Sequence, residues 1–498
     1  MARSSYVRLS AQDHSFLVAE RRSIPMHVGG IQIYEAGPLR RRDGGIDVAT
    51  FKRGIESVMH LLPRYRQRLK WIPFENHPVW VDDRQFNLDY HVRHTALPRP
   101  GGSEELKRLA ARIMAQELDR SRPLWEMWVV EGMEGDRFAV IAKIHHCMMD
   151  GMSGVDVAHI LLSPSPEYEL HEPVPYVPRT APTGGELLRD ALLRRAAIPL
   201  DMGRALLDFA SSPTMISDLR ERVDALTQLV TWAVYPASQS PLNGRLCPHR
   251  RFEWLTTPLA DVKAVSKALG CSVNDVVLAT VAGAVREFCI ARRAHPDEID
   301  FRVSAPVSVR RDEDKGRLGN AVSSWIVRLP IDEPDAKRRL EAIHRVTDEL
   351  KRSRQALGVQ MMMAAAEWAP QALLSLGARA ASGPINMIVT NIPGPQLPLY
   401  QLGARLIALY PLVPLLENTG LGVALFSYDG QLCWGFNADY DLIPDLRAFV
   451  EAIRDAFREL RQLASASPPQ VGATISPPAG LAAAPQGNGQ AAQAQIAR

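Results

Sequence analysis

Apolar residues along this chain recur in two rhythms, one suited to strands and one to helices. Residues 26–35 (MHVGGIQIYE) and 137–146 (RFAVIAKIHH) are runs of branched apolar residues bounded by charge, and they predict strands. Between them, 50–70 and 104–119 carry apolar residues at helical spacing, with Leu106, Leu109, Ile113 and Leu118 near one face. Ser153 and Asp156 have the spacing of a capping box, which predicts a short helix over 153–163. The first block, residues 1–170, therefore reads as mixed α and β.

A connector over 171–245 separates it from the next block. Its approach, 164–183, carries Pro164, Pro166, Pro173, Pro175, Pro178 and Pro182, a composition that fits a surface loop. Residues 184–234 then look helical, interrupted by Pro199 and Pro213, with Ile198, Met202, Leu206 and Phe209 forming one apolar stripe. That stripe suits packing against the protein body or docking on lipid. In the second block, 246–464, the pattern predicts strands at 250–255, 300–309, 385–391, 405–410, 421–428 and 431–438. Helices are predicted at 259–269, 273–290, 336–353 and 444–463. From 465 to 498 the chain is rich in Ala, Pro, Gln, Gly and Ser and cannot bury a core, so a disordered tail is expected.

Composition narrows the class. The 498 residues are 46% hydrophobic and 23% charged, enough apolar material for more than one core. A net charge of +3 gives no support to a nucleic-acid partner, which calls for a one-sided basic surplus. Cys147, Cys247, Cys271, Cys289 and Cys433 are scattered and form no Cys-x-x-Cys pair, so buried thiols in a reducing cytosol are the simplest account. The start lacks a signal-peptide core. The charge-free stretch 380–404 is broken by Pro384, Pro393, Pro395 and Pro398, which argues against a membrane span. A cytoplasmic protein, attached to membrane at most peripherally, is expected.

Candidate chemistry concentrates in His145-His146-Cys147-Met148-Met149-Asp150-Gly151, directly after an apolar strand. If alternation persists, His146 lies on the face of Phe138, Val140, Ala142 and Ile144, and His145 on that of Ile141 and Lys143. Only one imidazole then points into a given cleft. Asp150-Gly151 reads as a tight turn, in which Asp150 holds the loop through an arginine or backbone N–H groups. An imidazole fixed in this way suits a general base. A satisfied rim pair is the competing reading. A metal site is disfavoured because adjacent strand residues diverge. Cys147 as a nucleophile lacks an electropositive setting.

The segment matches the His-His-x-x-x-Asp-Gly motif and resembles the bacterial wax ester synthase/diacylglycerol acyltransferase family, itself similar to the chloramphenicol acetyltransferase superfamily of CoA-dependent acyltransferases. Other similar stretches follow in order: LSAQDHSFLVAE (9–20), PMHVGG (25–30), Pro123-Leu124-Trp125, LNGR (242–245), SVNDVVLA (272–279), APVSVR (305–310), GN (319–320), NIPGP (391–395) and FNADYD (436–441). The resemblance covers roughly residues 5–463.

It implies an α/β (mixed α+β) fold of two chloramphenicol-acetyltransferase-like halves around a central channel, with a helical connector. It also implies His146 as general base, His145 as its support, and Asp150 with Gly151 as structural. Asn274 and Asp275 would order the site from the second half, although Ser272 and Asp275 also have capping-box spacing and suit a plain helix start. Trp125 would shape the acceptor pocket, or simply pack in a strand. Met361, Met362 and Met363, with Trp368, would line an acyl channel or pack in the core. The implied reaction moves a long-chain acyl group from acyl-CoA, a co-substrate, to diacylglycerol or a fatty alcohol at a membrane or lipid-droplet surface. It needs no metal and no other cofactor. The alternatives are a related acyltransferase for a polyketide-like or peptidyl alcohol, and a non-catalytic lipid-binding protein of this fold. One consequence concerns the tail: a chain truncated after residue 464 should melt within a degree or two of the full-length protein by differential scanning fluorimetry. A larger drop would assign the tail folded contacts.

Overall fold

The computed structural model describes residues 5–148, 157–210, 237–308, 322–352 and 385–466, with backbone alone for 198–210, 306–308, 322–324 and 352. Branched and aromatic residues in the first half form β1 (Tyr6–Arg8), β2 (His27–Glu35), β3 (Gln67–Trp71), β4 (Pro78–Asp82), β5 (Val92–Ala96), β6 (Trp125–Met133) and β7 (Arg137–His145). The helices there are α1 (Ala11–Ala19), α2 (Val48–Val58), the single turn α3 (Leu88–His91) and α4 (Ser103–Ala115). After α5 (Gly184–Ala210) come β8 (Arg250–Pro258), α6 (Leu259–Ala268), α7 (Val273–Ala291), β9 (Phe301–Ser308), β10 (Val322–Leu329) and α8 (Ala336–Arg352). The chain continues through β11 (Met387–Pro393), β12 (Tyr400–Gln401), β13 (Ala404–Leu412), β14 (Leu421–Tyr428), β15 (Gln431–Asp439) and α9 (Leu446–Ala466).

Two mixed six-stranded sheets result. The second half builds one in the order β10-β9-β11-β14-β15-β8. The other runs β12-β13-β2-β7-β6-β5, so β12 and β13 leave the second half and complete the sheet of the first. β13 pairs antiparallel with β2, from Leu406 opposite Tyr34 to Leu412 opposite Gly29. A small sheet β1-β4-β3 stands apart and carries the start of α5 through Leu187 and Ala191, which pack on Ile72, Val79 and Val81.

Each sheet is covered by the amphipathic faces that the sequence pattern predicts. In α4, Leu106, Leu109, Ala110 and Ile113 pack on Ile31, Val130 and Ile141. On the other side, Phe51 and Ile55 of α2 meet Tyr34, Phe138 and Val140. In the second half α7 is buried from Asp275 to Val285, and α9 covers the same core through Leu446, Phe449, Val450, Ile453, Phe457 and Leu460. Each such large side chain adds about 1.5–3 kcal/mol on burial.

Three expectations need correction. The helix expected over 50–70 stops at Val58. Two 3-10 turns, Met59–Leu61 and Pro63–Arg66, then lead into β3, since Pro63 has no N–H with which to continue a helix. The final helix runs to Ala466, two residues into the segment read as tail. Strands β1, β3, β4, β5, β6, β10 and β12 go unannounced by the pattern, most of them because short runs or interspersed charge lack a clean period of two. The expected helix start at Ser153 and Asp156, Met361 to Met363, Trp368 and the rest of the tail lie outside the described residues, as do the side chains of the stripe from Ile198 to Phe209.

The crossing of β13 over the second half depends on one glycine. A Cβ on Gly435 of β15 would stand 1.9 Å from the carbonyl oxygen of Pro411 in β13. Gly435→Ala should therefore push two backbones apart, cost about 1–3 kcal/mol or more, and lower the melting temperature by several degrees. An unshifted Tm would show that the two strands separate freely.

Candidate active site

The apolar run of β7 ends at His145, and its last hydrogen bonds aim the two histidines. The His145 N–H donates to the Leu124 carbonyl at 2.9 Å, and the His146 N–H donates to the Met26 carbonyl at 2.8 Å. Pro123-Leu124-Trp125 and Met26-His27-Val28 are thus the two flanking segments that hold the turn. Alternation persists through Ile144, and His145 stays on the side of Ile141 and Lys143, as expected. It does not extend to His146, which opens a 3-10 turn, His146–Met148. The face predicted for His146 therefore does not apply. Its half-buried ring instead stacks on Phe16 of α1, with centroids 3.9 Å apart and planes at 14°.

His145 is fully buried, and the protein sets its tautomer. Its Nδ1 accepts the Cys147 N–H at 3.1 Å, so the proton sits on Nε2, which lies 3.3 Å from Glu20 Oε1. Glu20 caps the end of α1 and gathers four groups. Arg120 donates to Oε2 from Nε at 3.2 Å and from Nη2 at 2.7 Å; the Met26 N–H donates to Oε1 at 3.2 Å; His27 Nε2 stands 3.5 Å away. Burial alone would raise the Glu20 carboxyl, but the hydrogen bonds from His145 and Arg120 hold it far below the ordinary carboxylate range.

His27, opposite His145 across the β2–β7 ladder, is also buried, and its Nδ1–H donates to the Met114 carbonyl at 3.2 Å. Burial, then the neighbouring Lys143 charge, push its pKa down to about 3, so it is neutral. Lys143 is fully buried and donates to the carbonyls of Ile113 (3.0 Å) and Gln116 (2.6 Å) at the C-terminal end of α4, where a cation suits the helix dipole. Burial lowers its pKa to about 8.

The remaining candidates divide. Asp150 and Gly151 lie outside the described residues. Cys147 is buried, and burial, with Asp13 and Glu20 nearby, pushes its thiol well above the ordinary range, which opposes a thiolate nucleophile. Trp125 is buried, donates from Nε1 to the Tyr65 carbonyl at 2.9 Å, and stacks on His91 at 4.6 Å.

Asp275 starts α7 with both bonds of the capping box to Ser272, at 2.8 and 3.2 Å. Thr347 donates to it at 2.7 Å and His344 at 2.9 Å, both from α8. Burial would raise its carboxyl; the bonds from Thr347, Ser272 and His344 hold it below its ordinary value. All these partners belong to the second half, so Asp275 braces α7 against α8. Asn274 is half-buried beside it. Pattern reading missed Glu20, Phe16, His27 and Arg120. The first three lie inside the stretches 9–20 and 25–30, but nothing in local spacing announces that Arg120 returns to Glu20.

Residues 9–277 match the wax ester synthase/diacylglycerol acyltransferase catalytic domain, and residues 318–461 match the C-terminal domain of the same enzymes. The chain belongs to the wax ester synthase/diacylglycerol acyltransferase family. It is an acyltransferase. A putative diacylglycerol O-acyltransferase of Mycobacterium bovis is 32% identical over 463 residues, spanning 91% of this chain and 95% of the relative. A probable diacylglycerol O-acyltransferase of Mycobacterium tuberculosis is 33% identical over 463 residues, with coverage of 90% and 98%. The solved wax ester synthase/diacylglycerol acyltransferase from Marinobacter aquaeolei VT8 superposes with a TM-score of 0.66 at 26% identity, over 92% of this chain and all of that one. The first condensation domain of the calcium-dependent antibiotic synthetase, at 17% identity and a TM-score of 0.60, covers 93% of this chain and 97% of its own and shares the two-halved fold.

The buried histidine gives this acyltransferase a defined response to acid. His27 titrates near its ordinary 6.5 when unfolded and near 3 when folded, so below pH 6.5 the unfolded chain binds a proton that the folded chain refuses. Stability should fall with pH across that window at about 1.4 kcal/mol per pH unit for this group. Glu20 acts in the same direction lower down: its contribution is full above the unfolded value of 4.5 and is lost as pH falls through its depressed folded value. Urea melts of His27→Gln between pH 4 and 6.5 should show a slope shallower by about one proton. An unchanged slope would mean that His27 is already charged in the fold.

Proposed function

We propose that this acyltransferase moves a long-chain acyl group from acyl-CoA to the hydroxyl of diacylglycerol or of a long-chain alcohol, with His146 as general base. The supporting observation is the contrast between the two imidazoles. His145 has Nδ1 taken by the Cys147 N–H and Nε2 facing Glu20, whereas His146 is half-exposed at the end of the strand that this network anchors.

In this reading His146 takes the proton of the acceptor hydroxyl as its oxygen attacks the thioester carbonyl. The tetrahedral intermediate collapses, the carbon–sulfur bond breaks, and the imidazolium returns the proton to the departing CoA sulfur. Binding both substrates beside His146 supplies much of the acceleration. No acyl-enzyme is formed, in keeping with the high pKa of the Cys147 thiol. Asp150 and Gly151 shape the turn beyond His146, Asn274 and Asp275 order the second half, and Trp125 sets a wall of the acceptor side. Substrates this apolar place the enzyme peripherally at the cytoplasmic face of a membrane or at a lipid inclusion. Among the described residues no single helix is long and apolar enough to cross a membrane.

Labelled palmitoyl-CoA offered with diacylglycerol, hexadecanol and short polar alcohols should yield triacylglycerol or wax ester. Product from the polar alcohols alone would overturn the acceptor assignment. His146→Ala should reduce turnover by about 10²–10⁴-fold with an unchanged Tm. His145→Ala should lower Tm together with activity, because it strips a partner from the buried Glu20, a loss of about 1–3 kcal/mol. Cys147→Ala should stay active. Full activity in His146→Ala, or an acyl group trapped on Cys147, would defeat the mechanism.

A further inference from the structure

A groove of about 1180 Å³ opens where α4 of the first half faces β8 and the start of α9 of the second. Seven of its described lining residues are Lys or Arg, against three Glu. Four of those cations are already engaged. Lys107 pairs with Glu104 at 3.0 Å and Glu253 at 2.5 Å, and Arg108 pairs with Glu105 at 2.8 Å. Arg250 donates to the carbonyls of Cys247, His249 and Ser23, and Arg251 lies on the Tyr440 ring at 3.7 Å.

Arg22, Arg112 and Arg447 remain. All three are exposed, and their side chains make no hydrogen bond or ion pair among the described residues; Glu117 is the one lining carboxylate in the same condition. Arg447 also stands in the first turn of α9, which carries no acidic residue. A cation there opposes the helix dipole, and the one carboxylate at this helix start, Asp445, is already paired with Arg292. The surplus thus suits an anion, and a concave groove suits a compact polyphosphate better than a flat surface does.

We propose that this groove docks the 3′-phospho-ADP portion of the acyl-CoA donor, with its phosphates on Arg22, Arg112 and Arg447. The assignment rests on acyl-CoA being the donor. Its location agrees with that role, because residues lining the groove adjoin the segments that carry the histidine network. Arg22 is two residues beyond Glu20, Gln116 gives its carbonyl to Lys143, and Arg250 holds the Ser23 carbonyl at 2.5 Å. Tyr440, 44% exposed at the same rim, and the Arg251 guanidinium lying on its ring offer a planar surface for the base.

The test compares palmitoyl-CoA with palmitoyl-N-acetylcysteamine, which lacks the nucleotide, in the wild type and in Arg112→Glu/Arg447→Glu. Both sites are exposed, and Arg22→Ala/Arg112→Ala/Arg447→Ala serves if the reversal variant misfolds. The preference for the CoA thioester, as a ratio of kcat/KM values, should fall at least about tenfold through KM, and calorimetric binding of 3′,5′-ADP should weaken in parallel. An unchanged ratio with intact 3′,5′-ADP binding would overturn the proposal while leaving the acyltransferase reading in place. A wild type that rejects palmitoyl-CoA yet binds 3′,5′-ADP through these arginines would overturn the donor assignment alone. If instead the variant loses co-sedimentation with phosphatidylglycerol vesicles and keeps its thioester preference, the groove belongs to lipid headgroups and the proposal fails.

Discussion

One buried carboxylate orders the region around the two adjacent histidines. Taking Glu20 out of water costs several kcal/mol, and a charge in that position survives only if donors surround it. Here they come from three separate stretches: Arg120, the Met26 N–H and His145. Because the penalty for an unmet charge is so large, these stretches cannot drift independently. The end of α1, the start of β2, the end of β7 and the segment after α4 are fixed by one requirement. His146 inherits its position from that arrangement, since its own N–H is held by Met26 and its ring by Phe16 of the same helix.

The same economy explains why two adjacent histidines sit in different surroundings. Strand geometry buries one and releases the other, but burial alone does not make His145 useful. Its value lies in a tautomer set by the Cys147 N–H on one side and the Glu20 carboxylate on the other. An imidazole satisfied at both nitrogens is a strut for the turn. The half-exposed neighbour, just past the end of the strand, is the one proposed as base.

A second constraint joins the halves. β13 and β12 belong by sequence to the second half and by hydrogen bonding to the first sheet, so the sheet of the first half is incomplete without chain from the second. The close approach of Pro411 to Gly435 and of Gly29 to the Ala142 carbonyl leaves no room for side chains at those glycines. Gly29 also lies on β2, two residues beyond His27, so the seam between halves and the histidine network share one strand. The cationic groove between α4 and β8 lies along this seam.

What the sequence determined by itself was local. Periodicity located α4, α6, α7 and α9 and most strands of the second half, because each buries one face in a regular pattern. The ordered motifs identified the family, and the apolar strand leading into two histidines marked the candidate site. The tertiary structure decided whatever depends on residues far apart in the chain. No local signal shows that Arg120 answers Glu20, that β13 pairs with β2, or that Asp275 serves α8 through Thr347 and His344. Even the face of His146 escaped a correct alternation rule, because the strand stops one residue short of it. Secondary structure follows from neighbours within a few residues, whereas a buried charge is answered by whichever donors the folded chain brings to it.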